Sequence, residues 1–301
     1  MTTAPTTTTP TTPTTPTTPT THPGPASAAP VVLSPSAESA LPSVASVPSR
    51  ISGARPTTGV PFTRLIHVEL RKMLDTRAGR WLLIGIGAVI AIALTIMFFN
   101  NGGQHSFGMY LQATTMPMAL ILPVVGILAV TSEWSQRTGL VTFGLEPRRA
   151  RVGWAKTVAA LLVGVAAFAT SLVLAGIAHQ GAVTFRGITP DWTMDGLVLL
   201  GAGGYVLLGI AQGLGFGMLL KNTPAAIVLF YILPTAWSIL GSMVSWLADA
   251  GVWLDMNQTM QPLFEGSLTG EQWAHLGTSV TLWVLLPLTV GMWRLTRSEV
   301  K

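Results

Sequence analysis

From residue 81 onward, long apolar stretches alternate with short polar connections. The first runs from Trp81 to Phe99 without a charged residue, close to the ~20 apolar residues that a helix needs to cross a bilayer core. Comparable runs follow at 111–131, 155–178, 196–219, 225–247 and 278–294. The pattern predicts an all-α integral membrane protein with six transmembrane helices. Pro117, Pro123, Pro234 and Pro287 fall inside these runs, as membrane bundles permit where neighbouring helices satisfy the freed backbone groups. The fourth run places Gly209, Gly213 and Gly217 four residues apart, a smooth stripe suited to close helix packing.

The stretch 61–78 has a different periodicity. Phe62, Leu65, Ile66, Leu70, Met73 and Leu74 share one helical face, opposite Arg64, His67, Arg71 and Asp75. A basic amphipathic helix just ahead of a span is expected to lie in the membrane interface, with its cations toward anionic headgroups. Trp81 marks the surface where the span begins. Upstream, residues 1–60 hold 12 of the 21 prolines, in repeats such as "TTPTTPTTPTT". Such a segment has almost nothing to bury and is expected to stay disordered, as a linker or a proline-rich interaction arm.

Composition agrees with the periodicity: 49% of the 301 residues are hydrophobic and 10% charged, against roughly 25% charged in a soluble domain. The net charge of +5 does not point to nucleic acid, because the cations are dispersed around apolar runs and no basic-aromatic module is present. They report topology instead. With the N-terminus inside, 16 of the 17 Lys and Arg residues fall on the cytoplasmic side and only Arg186 outside, as the positive-inside rule requires. Both termini are then cytoplasmic, in a multi-pass protein of the plasma (inner) membrane.

The connection 132–154 is the main cytoplasmic loop and holds much of the scarce charge. Glu133 to Phe143 forms a short amphipathic stretch, and Gly144 and Pro147 follow as breakers. Glu133, Arg137, Thr138 and Gly139, then Pro147, Arg148, Arg149 and Lys156, form a pattern that resembles the membrane subunits of ABC-2 type transporters. So does "GFGMLLKNTPAA" at 215–226. The likeness covers 61–301 as one six-helix domain, with an elbow helix at 61–78, a coupling loop at 132–154 and an extracellular element at 248–277. It implies that Glu133, Arg137, Thr138, Gly139, Arg148, Arg149 and Lys156 form the coupling segment for an ABC ATPase subunit. It also implies a second copy or a homologous membrane subunit, and export as the direction of transport.

No catalytic constellation competes with this expectation. The P-loop spacing is missing, so ATP would be hydrolysed on a separate ATPase chain and no cofactor would be bound directly. There is no Gly-x-Ser-x-Gly or His-Glu-x-x-His, no cysteine, and no metal site is expected. His105, His179 and His275 fall near outer span ends, where solvated rings are expected. The interiors of the apolar runs lack ionisable residues, which argues against an ion-coupled carrier. Gln112, Thr114, Gln212, Ser238, Ser242 and Ser245 are the polar candidates for a translocation path, with helix–helix hydrogen bonding as the alternative role. A non-transporting membrane scaffold or sensor, with the tail as its interaction arm, is the other function class.

The distribution of basic residues predicts cysteine accessibility. In intact cells, a cysteine at Ser27 or Ser298 should be protected from an impermeant maleimide while one at Ser106 is labelled. The opposite pattern would reverse the topology.

Overall fold

The computed structural model describes residues 60–100, 105–136, 142, 144, 146 and 148–297. The Thr/Pro-rich tail, Arg137, Thr138, Gly139 and most of the predicted coupling stretch lie outside these residues. Within them the chain is helical: α1 (Phe62–Asp75), α2 (Arg77–Phe99), α3 (Phe107–Ser135), α4 (Arg149–Arg186), α5 (Gly196–Leu220), α6 (Thr223–Met243), α7 (Ser245–Leu254), α8 (Met256–Phe264), α9 (Gly270–Val280) and α10 (Leu286–Arg297). A π-helical segment, Thr281–Leu285, joins α9 to α10 in one rod. Among the described residues, α2, α3, α4, α5, α6 and the α9–α10 rod are long and apolar enough to cross a membrane.

Helix ends follow side-chain chemistry more closely than hydropathy. Thr76 caps α2 through Gly79 N, Ser106 caps α3 through Met109 N, and Asn222 caps α6 through Ala225 N, each satisfying a first-turn donor. The second and third spans outrun the predicted 111–131 and 155–178, because hydropathy marks the lipid-facing part of a helix while its hydrogen bonds continue into the interface. At 38 residues α4 is about 57 Å long, well beyond a hydrocarbon core of about 30 Å.

The predicted fifth span, 225–247, is interrupted. Val244 is extended, with φ −127° and ψ 115°, and a separate short helix starts at Ser245. Residues 248–277 contain the rest of α7, all of α8 and most of α9. Asp255 organises this region: its carboxylate caps α8 by accepting from Asn257 N and Gln258 N, and it accepts a 2.6 Å bond from Ser238 on α6. A Thr269–Gln272 capping box then begins α9.

The bundle centres on α3 and α5, which run parallel. A Cβ added at Gly213 would lie 2.4 Å from Pro123 O, one at Gly217 3.2 Å from Ile127 O, and one at Gly209 3.2 Å from the Pro123 ring. Without a hydrophobic force between helices in lipid, such backbone proximity supplies the dispersion contact. The α10 backbone approaches the other side of α5 in the same way, where a Cβ on Gly291 would stand 2.8 Å from Gly215 O. Leu122, Ile127, Val206, Leu214 and Met218 fill the spaces between. α2 and α6, by contrast, bury few residues and present broad apolar faces outward.

Gly213→Ala should therefore push α3 from α5 and lower the thermal unfolding midpoint in detergent, at a cost of about 1–3 kcal/mol. Gly87→Ala, with nothing within 4 Å of its added Cβ, should be neutral or stabilising by up to about 1 kcal/mol. Equal effects at both sites would deny the close approach any energetic role.

Candidate functional site

The most concentrated polar chemistry lies where α1 crosses the end of α3 and the start of α4. Glu69 occupies the inward face of α1 with Ile66 and Met73, a position that the helical period assigns to the apolar stripe. Its Oε2 accepts from Lys156 Nζ of α4 at 2.7 Å and its Oε1 from Lys72 Nζ at 2.8 Å. Glu133, in the last turn of α3, joins both cations through Oε1, at 2.9 Å from Lys156 and 2.9 Å from Lys72. Thr142 donates to the same oxygen at 3.2 Å, and Lys156 also reaches Ala129 O at 3.1 Å.

Lys156, Glu69 and Glu133 are 1%, 4% and 6% exposed, so three formal charges have left water and Lys72 alone keeps partial access. The two carboxylates and two ammoniums balance. Burial alone would push the Lys72 ammonium toward neutrality, but Glu69 and Glu133 outweigh it and hold its pKa above the ordinary lysine value. The arrangement is an electrostatic clamp among three helices. A second pair extends it: Arg151 binds buried Glu146 at 3.1 Å and reaches Val60 O at 2.8 Å, tying the start of α4 to the residue before the α1 cap.

This geometry locates the described members of the expected coupling set. Glu133 and Lys156, expected at the edges of a loop and a span, are instead wrapped in protein inside α3 and α4. Arg148 precedes the first residue of α4 and is exposed, followed by Arg149. Lys221 lies nearby with its ammonium 4.6 Å from the Trp134 ring. Burial first, then the charges of Arg294 and Arg149, hold Lys221 below the ordinary lysine value.

The candidate path residues separate. Thr114 is fully buried and its hydroxyl donates to Leu111 O, while Ser242 donates to Ile239 O. Ser238 is engaged by Asp255, Gln212 is buried between helices, and Ser245 is exposed at the start of α7. Gln112 stands on an open face of α3 and lines a cavity of about 650 Å³ at the end of the bundle opposite the ion cluster. A smaller cavity of about 450 Å³ adjoins Lys72 and Glu133.

His179 corrects the expectation of a solvated ring. It is fully buried, 4.6 Å from Trp192 and 5.6 Å from Tyr110 between ring centroids, because the segment after α4 folds back over it. His105 bonds Tyr110 and Asn100 O, and His275 packs on Trp253 at 4.0 Å. Among the described residues no group of three His, Cys, Asp or Glu is placed to hold a metal ion.

The motif pattern around 133–156 does not include Glu69 or Lys72. The signal was present: an acid on the apolar face of an amphipathic helix requires a cation, and Lys156 lies just inside the predicted third span. Only the fold shows that they meet. No family model matches the chain, and no curated protein is similar to it.

Lys156→Met should leave Glu69 and Glu133 sharing one half-exposed cation and cost about 3–5 kcal/mol, the usual penalty for breaking a buried pair. Combining it with Glu69→Gln should recover a substantial part of that loss. Thermal unfolding of the single and double variants in detergent checks the coupling; additive losses would show that the two charges act independently.

Proposed function

We propose that this chain is the membrane-spanning permease subunit of an ATP-driven exporter of the ABC-2 type, working with ATPase subunits on separate chains. The observation that carries the reading is the clamp of Glu69, Lys72, Glu133 and Lys156. It binds the interfacial helix α1 to the helices on both sides of the 136–148 connection. A force applied to that connection would reach α3 and α4 together, and α3 lies against α5 at the centre of the bundle. A loop meant only to set topology needs cations but no buried, charge-balanced anchor at its base.

In this reading Glu133 does not touch the ATPase. It anchors the loop, and Arg137, Thr138 and Gly139, with Arg148 and Arg149 beyond, form the docking surface. ATP binding and hydrolysis would move the loop, and the clamp would convert that movement into tilting of α3 and α4 within a pair of membrane subunits in the plasma membrane. The six apolar helices, the cations concentrated around one set of helix ends and the resemblance of the 133–156 pattern support the proposal. The scaffold reading differs in having no ATPase.

The test is affinity purification from native membranes, with the co-eluting proteins identified and ATP hydrolysis measured. The wild-type chain should bring an ATPase with it. Arg137→Glu should insert normally and keep its unfolding midpoint, since Arg137 follows the clamp residues, yet lose most of that ATPase. Arg148→Gln with Arg149→Gln should have a milder effect. An undiminished ATPase yield with Arg137→Glu would remove the docking role, and an ATPase-free wild-type preparation would favour the scaffold.

A further inference from the structure

The cavity of about 650 Å³ lies between α3, α5 and α8, within the roughly 300–1,000 Å³ typical of small-molecule sites. Its α3 wall extends from Ser106 to Leu120, about 21 Å at 1.5 Å per residue. Half of a bilayer's hydrocarbon core is about 15 Å thick. The cavity therefore reaches from the interface to the depth of the acyl chains, and Met116 and Leu120 at its inner end are 68% and 54% exposed. A lipophilic molecule would have lateral access.

The lining selects by chemistry. Met109, Met116 and Met194 provide unbranched, polarizable walls that adapt to irregular apolar shapes. Tyr205 and Phe264 meet edge to face at 5.6 Å and add aromatic surface. Gln112, Tyr205 and Gln261 also line the cavity, and no hydrogen bond among the described residues uses their side-chain polar atoms. The one charged lining residue is Glu265, at the interfacial rim. Its carboxylate has no ion pair or side-chain hydrogen bond among the described residues, and no Lys, Arg or His lines the cavity.

We infer that this cavity binds a lipophilic organic cation, with its apolar body among the methionines and aromatic rings and its positive charge toward Glu265. The inference rests on the permease reading in one respect: a transporter makes the cation cargo, whereas a sensor would make it a signal. The charge preference follows from the lining. A cation gains from the carboxylate and from the ring faces, while an anion of equal size is repelled by both and finds only neutral amide and phenol donors in its favour.

Tetraphenylphosphonium and tetraphenylborate, alike in shape and opposite in charge, provide the test. Binding of each to the purified full chain in zwitterionic-lipid nanodiscs is measured by calorimetry, with empty nanodiscs subtracted. Tetraphenylphosphonium should bind saturably at one site per chain, and tetraphenylborate should not. Glu265→Gln, an exposed rim change, should weaken the cation about fivefold, the worth of a partly solvated ion pair, and Ala119→Phe should abolish binding by filling the floor. Absence of saturable cation binding, equal anion binding, or an unchanged affinity in Glu265→Gln would overturn the inference. The assay contains no ATPase, so saturable binding by a chain that purifies without one would keep the site while removing the permease reading.

Discussion

Lys156 is a formal charge with almost no access to water, and its neutralisation constrains much of the fold around it. A buried ammonium needs a carboxylate close by, and the two that meet it come from α1 and α3, far apart in sequence. Satisfying one side chain thus ties α1 to the end of α3 and the start of α4. Lys72 completes the balance from the solvent side. Without it, two carboxylates would share one cation in a poorly hydrated site, a costly arrangement.

Away from the clamp, cohesion has a different origin. Lipid tails are as apolar as leucine, so burying apolar side chains against one another contributes little to helix association. The parallel pair α3 and α5 instead brings backbone to within contact distance through Gly213 and Gly217 on one helix and Pro123 and Ile127 on the other. Pro123 weakens the local ladder of α3, and the hydroxyl of Tyr231 on α6 donates to Leu120 O one turn earlier. The centre of the bundle is thus a close-packed seam built around a proline.

The two ends of the bundle consequently differ in character. One has charges matched and buried, with Lys221 over the Trp134 ring and the charges of Arg294 and Arg149 close enough to act on it. The other has short helices arranged around Asp255 and a wide cavity with one unpaired carboxylate at its rim. The seam of α3 and α5 links them, since α3 carries Glu133 near one terminus and Gln112 near the other. Clamp and cavity are thus joined by one continuous helix, which carries Pro117 and Pro123 between them.

The apolar periodicity alone established the all-helical class, the six long apolar helices and their approximate limits, because hydropathy reports directly which residues avoid water. The glycine spacing on α5 could be read for the same reason, as a regular period on one helix. Glu69 could not be read that way: the period placed it on the apolar face, but its buried partner, Lys156, is 87 positions away, and periodicity carries no information about such contacts. Nor could hydropathy reveal the burial of His179, which depends on Trp192 folding back from the next connection, or the break at Val244, which lies within a continuous apolar run. Solvent avoidance is a property of each residue and its near neighbours, so the sequence determined the elements. Charge neutralisation, cavity shape and ring stacking depend on distances between elements, and only the tertiary structure decided those.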